Sequence, residues 1–187
     1  MGEKTLKELM VTDFLQVHLA DSMEDVYPQL TERPDRFVVV LDDEGVPLYL
    51  TTADEMRGKM PRSLDWPAVG DFAARLSEAL LADEGATIEQ AMVFYGAQPR
   101  GLAVMRDSEV VGVLPYETLV DHFNEKIVPK VQAAGQTVRT GQPVTVASAV
   151  FRCRRYPRCS FEIAVTQINE PPLCGIQAAH GRTRLQA

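Results

Sequence analysis

The first 152 residues of this 187-residue chain contain no cysteine. Three thiols in all make no disulfide framework, so that long stretch has to be held by an ordinary apolar core. Long hydrophobic runs are missing too: none approaches the ~18 apolar residues that cross a bilayer. The opening MGEKTLKELM has no apolar core and no cleavage site of a secretory signal. A cytoplasmic protein without a membrane anchor is expected. Catalytic signatures are also lacking, with no Walker A loop, no G-x-S-x-G elbow, and no cysteine paired with a histidine before residue 153. An enzyme is therefore not expected.

What is present is the composition of a soluble globular protein, 45% hydrophobic and 24% charged. The length allows one domain with an appendage, or two small units sharing an interface. Charge is unevenly shared. Residues 151–187 hold six arginines against two glutamates, a balance of +4, which leaves −11 for the rest of a chain of net charge −7. An acidic body repels nucleic acid and anionic membranes, whereas a basic tail attracts either, or attracts the body.

Residues 4–58 read as helix, strand, helix, strand, strand, helix. Phe37-Val38-Val39-Val40-Leu41 is a continuous run of β-formers, the pattern of a strand covered on both faces. Asp42-Asp43-Glu44-Gly45 is a tight turn and Pro47 to Thr51 the returning strand. A helix follows from Ala53 to Lys59, with Thr51 and Thr52 as capping hydroxyls. Pro28 lies inside an expected helix from Met23 to Leu30, which predicts a kink or a late start there.

The same order recurs. A helix is expected over Ile88 to Tyr95, strands at 102–105 and 110–114 around the turn Arg106-Asp107-Ser108, and a helix from Tyr116 to Phe123. Setting Thr51 on Pro115 and Asp54 on Thr118 relates the copies by 64 positions. Either copy alone leaves a sheet face bare, so the two should pack together about a pseudo-two-fold axis. The expected boundaries are 4–59 and 70–125 for the copies, 60–69 for a linker anchored by Trp66, 126–150 for a connector, and 151–187 for a separate tail.

This duplicated text, with TLKELMVTDFLQVHLADSMEDV entering the first copy, RFVVVLDDEGVPLYLTTADEM closing it and GLAVMRDSEVVGVLPYETL closing the second, resembles a tandem pair of cystathionine-β-synthase (CBS) domains. The resemblance implies an α/β fold of two βαββα repeats and a regulatory module. It also implies an adenosine ligand, AMP, ADP, ATP or S-adenosylmethionine, in a cleft between the repeats, and a homodimer. Such modules close each repeat with a glycine-bearing strand, then Thr or Ser, two residues and Asp. Thr51-Thr52-Ala53-Asp54 matches the Thr-x-x-Asp part, making Thr51, Thr52 and Asp54 the candidate nucleotide residues. The chemistry suits them: a hydroxyl and free amides at a helix start favour phosphate, and a carboxylate accepts from ribose hydroxyls. These residues would equally serve as plain helix caps. Leu48 stands where glycine is usual, and Pro115-Tyr116-Glu117-Thr118 lacks both hydroxyl and aspartate, so one site of two is expected.

In the tail, Cys153-x5-Cys159 and Cys174-x5-His180 form a mirrored donor set suited to zinc, and the segment resembles a β-rich zinc ribbon. Four protein donors close the coordination sphere, so the metal would be structural. A tail below ~40 residues normally needs a metal, a disulfide or a partner. The other reading makes the cysteines small buried hydrophobes in a tail docked on the body. Arg154, Arg155 and Arg158 offer phosphate contacts to nucleic acid, which gives the alternative of a zinc-ribbon nucleic-acid regulator; contact with another protein is the leading expectation. His18 and His122 read as surface or packing residues.

Overall fold

The computed structural model describes residues 4–61, 66–127, 149–153, 162–165 and 183–187. The first repeat is helix α1 (Leu6–Leu9), strand β1 (Phe14–His18), helix α2 (Met23–Glu32), the hairpin β2 (Phe37–Leu41) and β3 (Pro47–Thr52), and helix α3 (Ala53–Lys59). Strands β1 and β2 are parallel and β2 and β3 antiparallel, in the order β1-β2-β3. The hairpin turn is built by Asp42, whose Oδ1 accepts from the amides of Glu44 (2.9 Å) and Val46 (2.8 Å), while Gly45 takes φ 77°. Helix α2 begins at Met23, with Ser22 accepting from the Glu24 amide, and runs on through Pro28 to Glu32; the late start does not occur.

The second repeat follows the same plan: β4 (Leu80–Asp83), α4 (Ile88–Ala91), the hairpin β5 (Gly101–Arg106) and β6 (Glu109–Pro115), and α5 (Tyr116–His122). Strand β4 has no counterpart in the sequence reading. Its text, Leu80-Leu81-Ala82-Asp83, is rich in helix formers, and pairing on both edges overrides that preference. The helix expected to reach Tyr95 is α-helical only to Ala91, then narrows to a 3₁₀ turn that ends with Gln98 in the left-handed region at φ 47°.

The central strands are equivalent. Val38 and Val40 in β2 pack with α2 and α3, and Leu102 and Val104 in β5 pack with α4 and α5. The residues between them, Val39 and Leu41 on one side and Ala103 and Met105 on the other, meet in a third apolar cluster that joins the sheets. All of these are buried, as a run apolar at every position requires.

Each repeat borrows its entry segment from the other. Residues 4–11 dock on the second repeat through the Leu6 amide on the Ala86 carbonyl (2.8 Å) and a reciprocal Val11–Val113 bridge. Residues 67–79 dock on the first, through the Met23 amide on Pro67 (2.9 Å), Val69 on Asp21 (2.9 Å) and Leu50 on Ser77 (3.0 Å). In space, residues 14–59 thus pack with 67–79, and 80–127 with 4–11. Gly112 records the exchange, since a Cβ there would meet Met10 Sδ at 2.5 Å and the Val11 carbonyl at 3.0 Å. Trp66 does not enter the core: it is 48% exposed and leans on Tyr27, ring centroids 5.4 Å apart.

The described part of the tail is no separate module. Strands β7 (Ala149–Cys153), β8 (Glu162–Val165) and β9 (Thr183–Leu185) extend the second sheet to the order β6-β5-β4-β9-β7-β8. Leu185 and Phe151 enter the core of the second repeat, where Phe151 meets Phe94 edge to face at 5.6 Å.

Candidate ligand site at the seam between the repeats

The β-ladder shifts the expected motif by one residue. Val40 faces Tyr49 and Val104 faces Gly112; Phe37 faces Thr52 and Gly101 faces Pro115. Thr52 and Pro115 are therefore equivalent, and each is the N-cap of its closing helix. Tyr49, rather than Leu48, stands where the second repeat has Gly112, and Glu55 stands where it has Thr118.

Thr51, Thr52 and Asp54 part company accordingly. Thr52 Oγ1 accepts from the Glu55 amide (3.3 Å), an ordinary cap. Thr51 is buried at the end of β3 and donates to Glu55 Oε2 (3.0 Å). Asp54 turns outward, its side chain 74% exposed, and pairs with Arg57 at 2.7 Å. The carboxylate facing the other repeat belongs to Glu55, 21% exposed, whose Oε2 also takes Arg100 Nε at 3.2 Å. Arg100 immediately precedes β5, so this ion pair spans the seam. Sequence reading passed over Glu55 because Thr51-x-x-Asp54 fits the spacing equally well; the capping pattern Thr52-x-x-Glu55 was the available signal.

Free amides at the start of α3 were expected to attract phosphate. The structure assigns them to the protein instead: Ala53 N–H donates to the Arg36 carbonyl (2.8 Å), Asp54 N–H to Pro34 (2.9 Å) and Glu55 N–H to Thr52. Among the described residues the charged pair across this seam is Glu55 with Arg100, the latter 60% exposed. In the first repeat the arginine at the equivalent place, Arg36, is held by Asp13 (2.9 Å) and donates to the Phe14 carbonyl (3.2 Å). At the second seam Pro115 supplies no hydroxyl, and Tyr116 reaches back to the Tyr95 carbonyl (2.9 Å). Burial raises the Tyr116 pKa above its usual value.

Of the expected zinc donors, Cys153 closes β7, fully buried opposite Thr183. Cys159, Cys174 and His180 lie outside the described residues, as do Arg154, Arg155 and Arg158. Among the described residues no three His, Cys, Asp or Glu side chains form a metal-binding group. Phe151 and Leu185 lie in the core of the second repeat and Cys153 is buried beside them on β7, so the tail's described strands fold against the body rather than alone. His18 is exposed beside the Asp42 carbonyl (3.3 Å), and the mostly buried His122 faces Glu89 at 3.6 Å.

Beside β9 lies a charged cluster. Arg184, almost fully buried, donates to the Asp107 carbonyl and lies near Asp83. Burial lowers the Arg184 pKa and raises that of Asp83, each charge partly offsetting the other's desolvation. Next to them Arg106 grips Glu84 with two hydrogen bonds of 2.7 and 2.8 Å.

Among the described residues no helix is long and apolar enough to cross a membrane. No protein-family model matches the chain, and no curated protein matches it. Solved structures do. The CBS domain of a putative transporter from Clostridium difficile 630 is 17% identical, with 67% of this chain and 97% of that one covered and a TM-score of 0.52. A CBS-domain pair with bound AMP from Klebsiella pneumoniae is 15% identical over 64% of this chain and 98% of its own, TM-score 0.50. A CBS domain pair in complex with 5′-methylthioadenosine and S-adenosyl-L-methionine is 16% identical over 67% and 99%, TM-score 0.50. The sheets, the exchanged entry segments and these likenesses agree that about two thirds of the chain has the fold of a tandem CBS-domain pair.

Proposed function

We propose that the protein is a ligand-sensing regulator whose CBS pair binds an adenine nucleotide, such as AMP, ADP, ATP or S-adenosylmethionine, at the first seam. The observation that carries this reading is Glu55, a carboxylate held between the repeats by Thr51 and Arg100. A carboxylate there can accept from the ribose hydroxyls, while Arg100 turns to a phosphate or other acceptor on the ligand. Thr52 keeps a hydroxyl proton to donate. The AMP and S-adenosylmethionine complexes of similarly folded pairs support the choice of ligand class. Ligand binding would exchange the Glu55–Arg100 contact for contacts to the nucleotide, altering how the repeats are coupled, and a homodimer through the CBS repeats would pass that change to a partner protein. No catalytic role is assigned.

Thermal-shift titration with the four ligands tests the reading, because a ligand of the native state raises the melting temperature by mass action. At least one should do so, and Glu55→Ala should abolish the shift while Asp54→Ala leaves it. No shift with any ligand would overturn the proposal.

The same reading gives the tail a structural zinc on Cys153, Cys159, Cys174 and His180, supported by the donor chemistry of that set. Metal analysis should find about one zinc per chain; none would remove the site.

A further inference from the structure

The side chain of Arg100 is mostly in solvent, so its place across the first seam depends on how its backbone is held. Two contacts hold it. The Arg100 carbonyl accepts from the amide of Tyr116, the first residue of α5 (3.3 Å). Two positions earlier Gln98 lies in the left-handed region at φ 47°, and its amide donates to the Tyr95 carbonyl (3.3 Å). The Tyr116 hydroxyl donates to that same carbonyl (2.9 Å). One acceptor thus ties the loop that delivers Arg100 to the helix that its carbonyl meets.

A left-handed residue other than glycine persists only where its surroundings over-determine it. Here they begin with the 3₁₀ turn Met92–Ala97, whose tight geometry makes poorer hydrogen bonds than an α-helix. Such a turn relies on packing. Tyr95 stacks on Phe123 with ring centroids 4.3 Å apart and lies 6.0 Å from the ring of Tyr116. Its neighbour Phe94, fully buried, meets Phe151 of the tail strand β7 edge to face. The tail therefore packs directly on the turn that sets Arg100. In the first repeat the equivalent Arg36 is fixed instead by Asp13 and the Phe14 carbonyl.

We propose, given a nucleotide held by Glu55 and Arg100 as read above, that Tyr116 and the tail residue Phe151 are positioning residues for Arg100, so that docking of the tail and occupation of the first seam strengthen each other. With Phe151 in place the turn is held, Gln98 keeps its conformation, and Arg100 stays beside Glu55, ready to turn to the ligand. Without it the turn relaxes and the guanidinium leaves the seam. Whatever the tail adds to ligand binding, the ligand must add to tail docking, because the coupling between two sites is reciprocal.

The test is calorimetric titration of the full chain with AMP, ADP, ATP and S-adenosylmethionine, alongside the variants Tyr116→Phe and Phe151→Leu. Both variants keep a large apolar side chain, and the Kd of the folded protein is unmoved by a loss of stability alone. Each should weaken binding of whichever ligand the wild type takes by about fivefold or more. In the wild type, saturation with that ligand should slow amide hydrogen exchange at Val150 to Cys153 by a similar factor. Unchanged affinity in Phe151→Leu would overturn the inference while leaving Glu55 its ligand. Exchange along β7 that is indifferent to the ligand would do the same. No binding of any of the four by the wild type would overturn the reading of the seam itself, and this inference with it.

Discussion

The two repeats share a skeleton and differ at their margins. Both have a buried central strand, two helices on one face and the sister sheet on the other. The second sheet gains three strands from the tail, and its core includes Phe151 and Leu185; the first gains none among the described residues. The first closes its hairpin with a capping threonine and a carboxylate at the seam, the second with proline and a tyrosine. Duplication supplies the scaffold, and divergence after it gives one copy the polar seam and the other the structural load.

The sharpest break in this comparison should come from Phe151→Ala. It removes a fully buried ring packed on Phe94, and a loss of about 3–5 kcal/mol is expected for such a truncation. Urea unfolding measures it; a loss below about 1 kcal/mol would mean that the tail contributes little to the second core.

Next in size is Gly101→Ala at the start of β5, where a Cβ would meet the Leu114 carbonyl at 2.7 Å. Backbone cannot yield cheaply, so a loss of about 1–3 kcal/mol is expected. Gly58→Ala in α3, with nothing within 4 Å of the added methyl, should instead stabilise by about 0.5–1 kcal/mol. The two alanines shifting the unfolding midpoint in the same direction would contradict the geometry.

A smaller difference separates the caps. Thr52→Ala removes the acceptor of the Glu55 amide and should cost about 1 kcal/mol, whereas Pro115→Ala removes no side-chain cap and should cost less. The smallest effect concerns pH. The Asp83 pKa is raised by burial, so its contribution to stability is fully present below the ordinary carboxylate value and is lost as pH rises through the raised one. Asp83→Asn should flatten that decline. A melting temperature that changes equally with pH in the wild type and the variant would assign the slope to other groups.

Much of the architecture was legible in the text. The run Phe37–Leu41, the turn after it and their recurrence at 102–114 announced two buried hairpins, because β-branched runs bounded by turn residues have few alternatives. Strand β4 was hidden, since Leu, Ala and Asp read as helix until neighbours on both sides impose pairing. The candidate site was half legible. Two threonines in succession and two acids in succession allow two registers, and only the ladder partner of Thr52 chooses between them.

The sequence by itself determined the repeat, the acidic body, the basic tail with its cysteines, and the absence of a membrane-length run, because these depend only on local pattern and count. Tertiary structure alone decided that each repeat takes its entry segment from the other, that Glu55 rather than Asp54 faces the seam, and that the tail's described strands continue the second sheet. Those outcomes depend on contacts between residues tens of positions apart, and no local preference encodes which edge a distant strand will find.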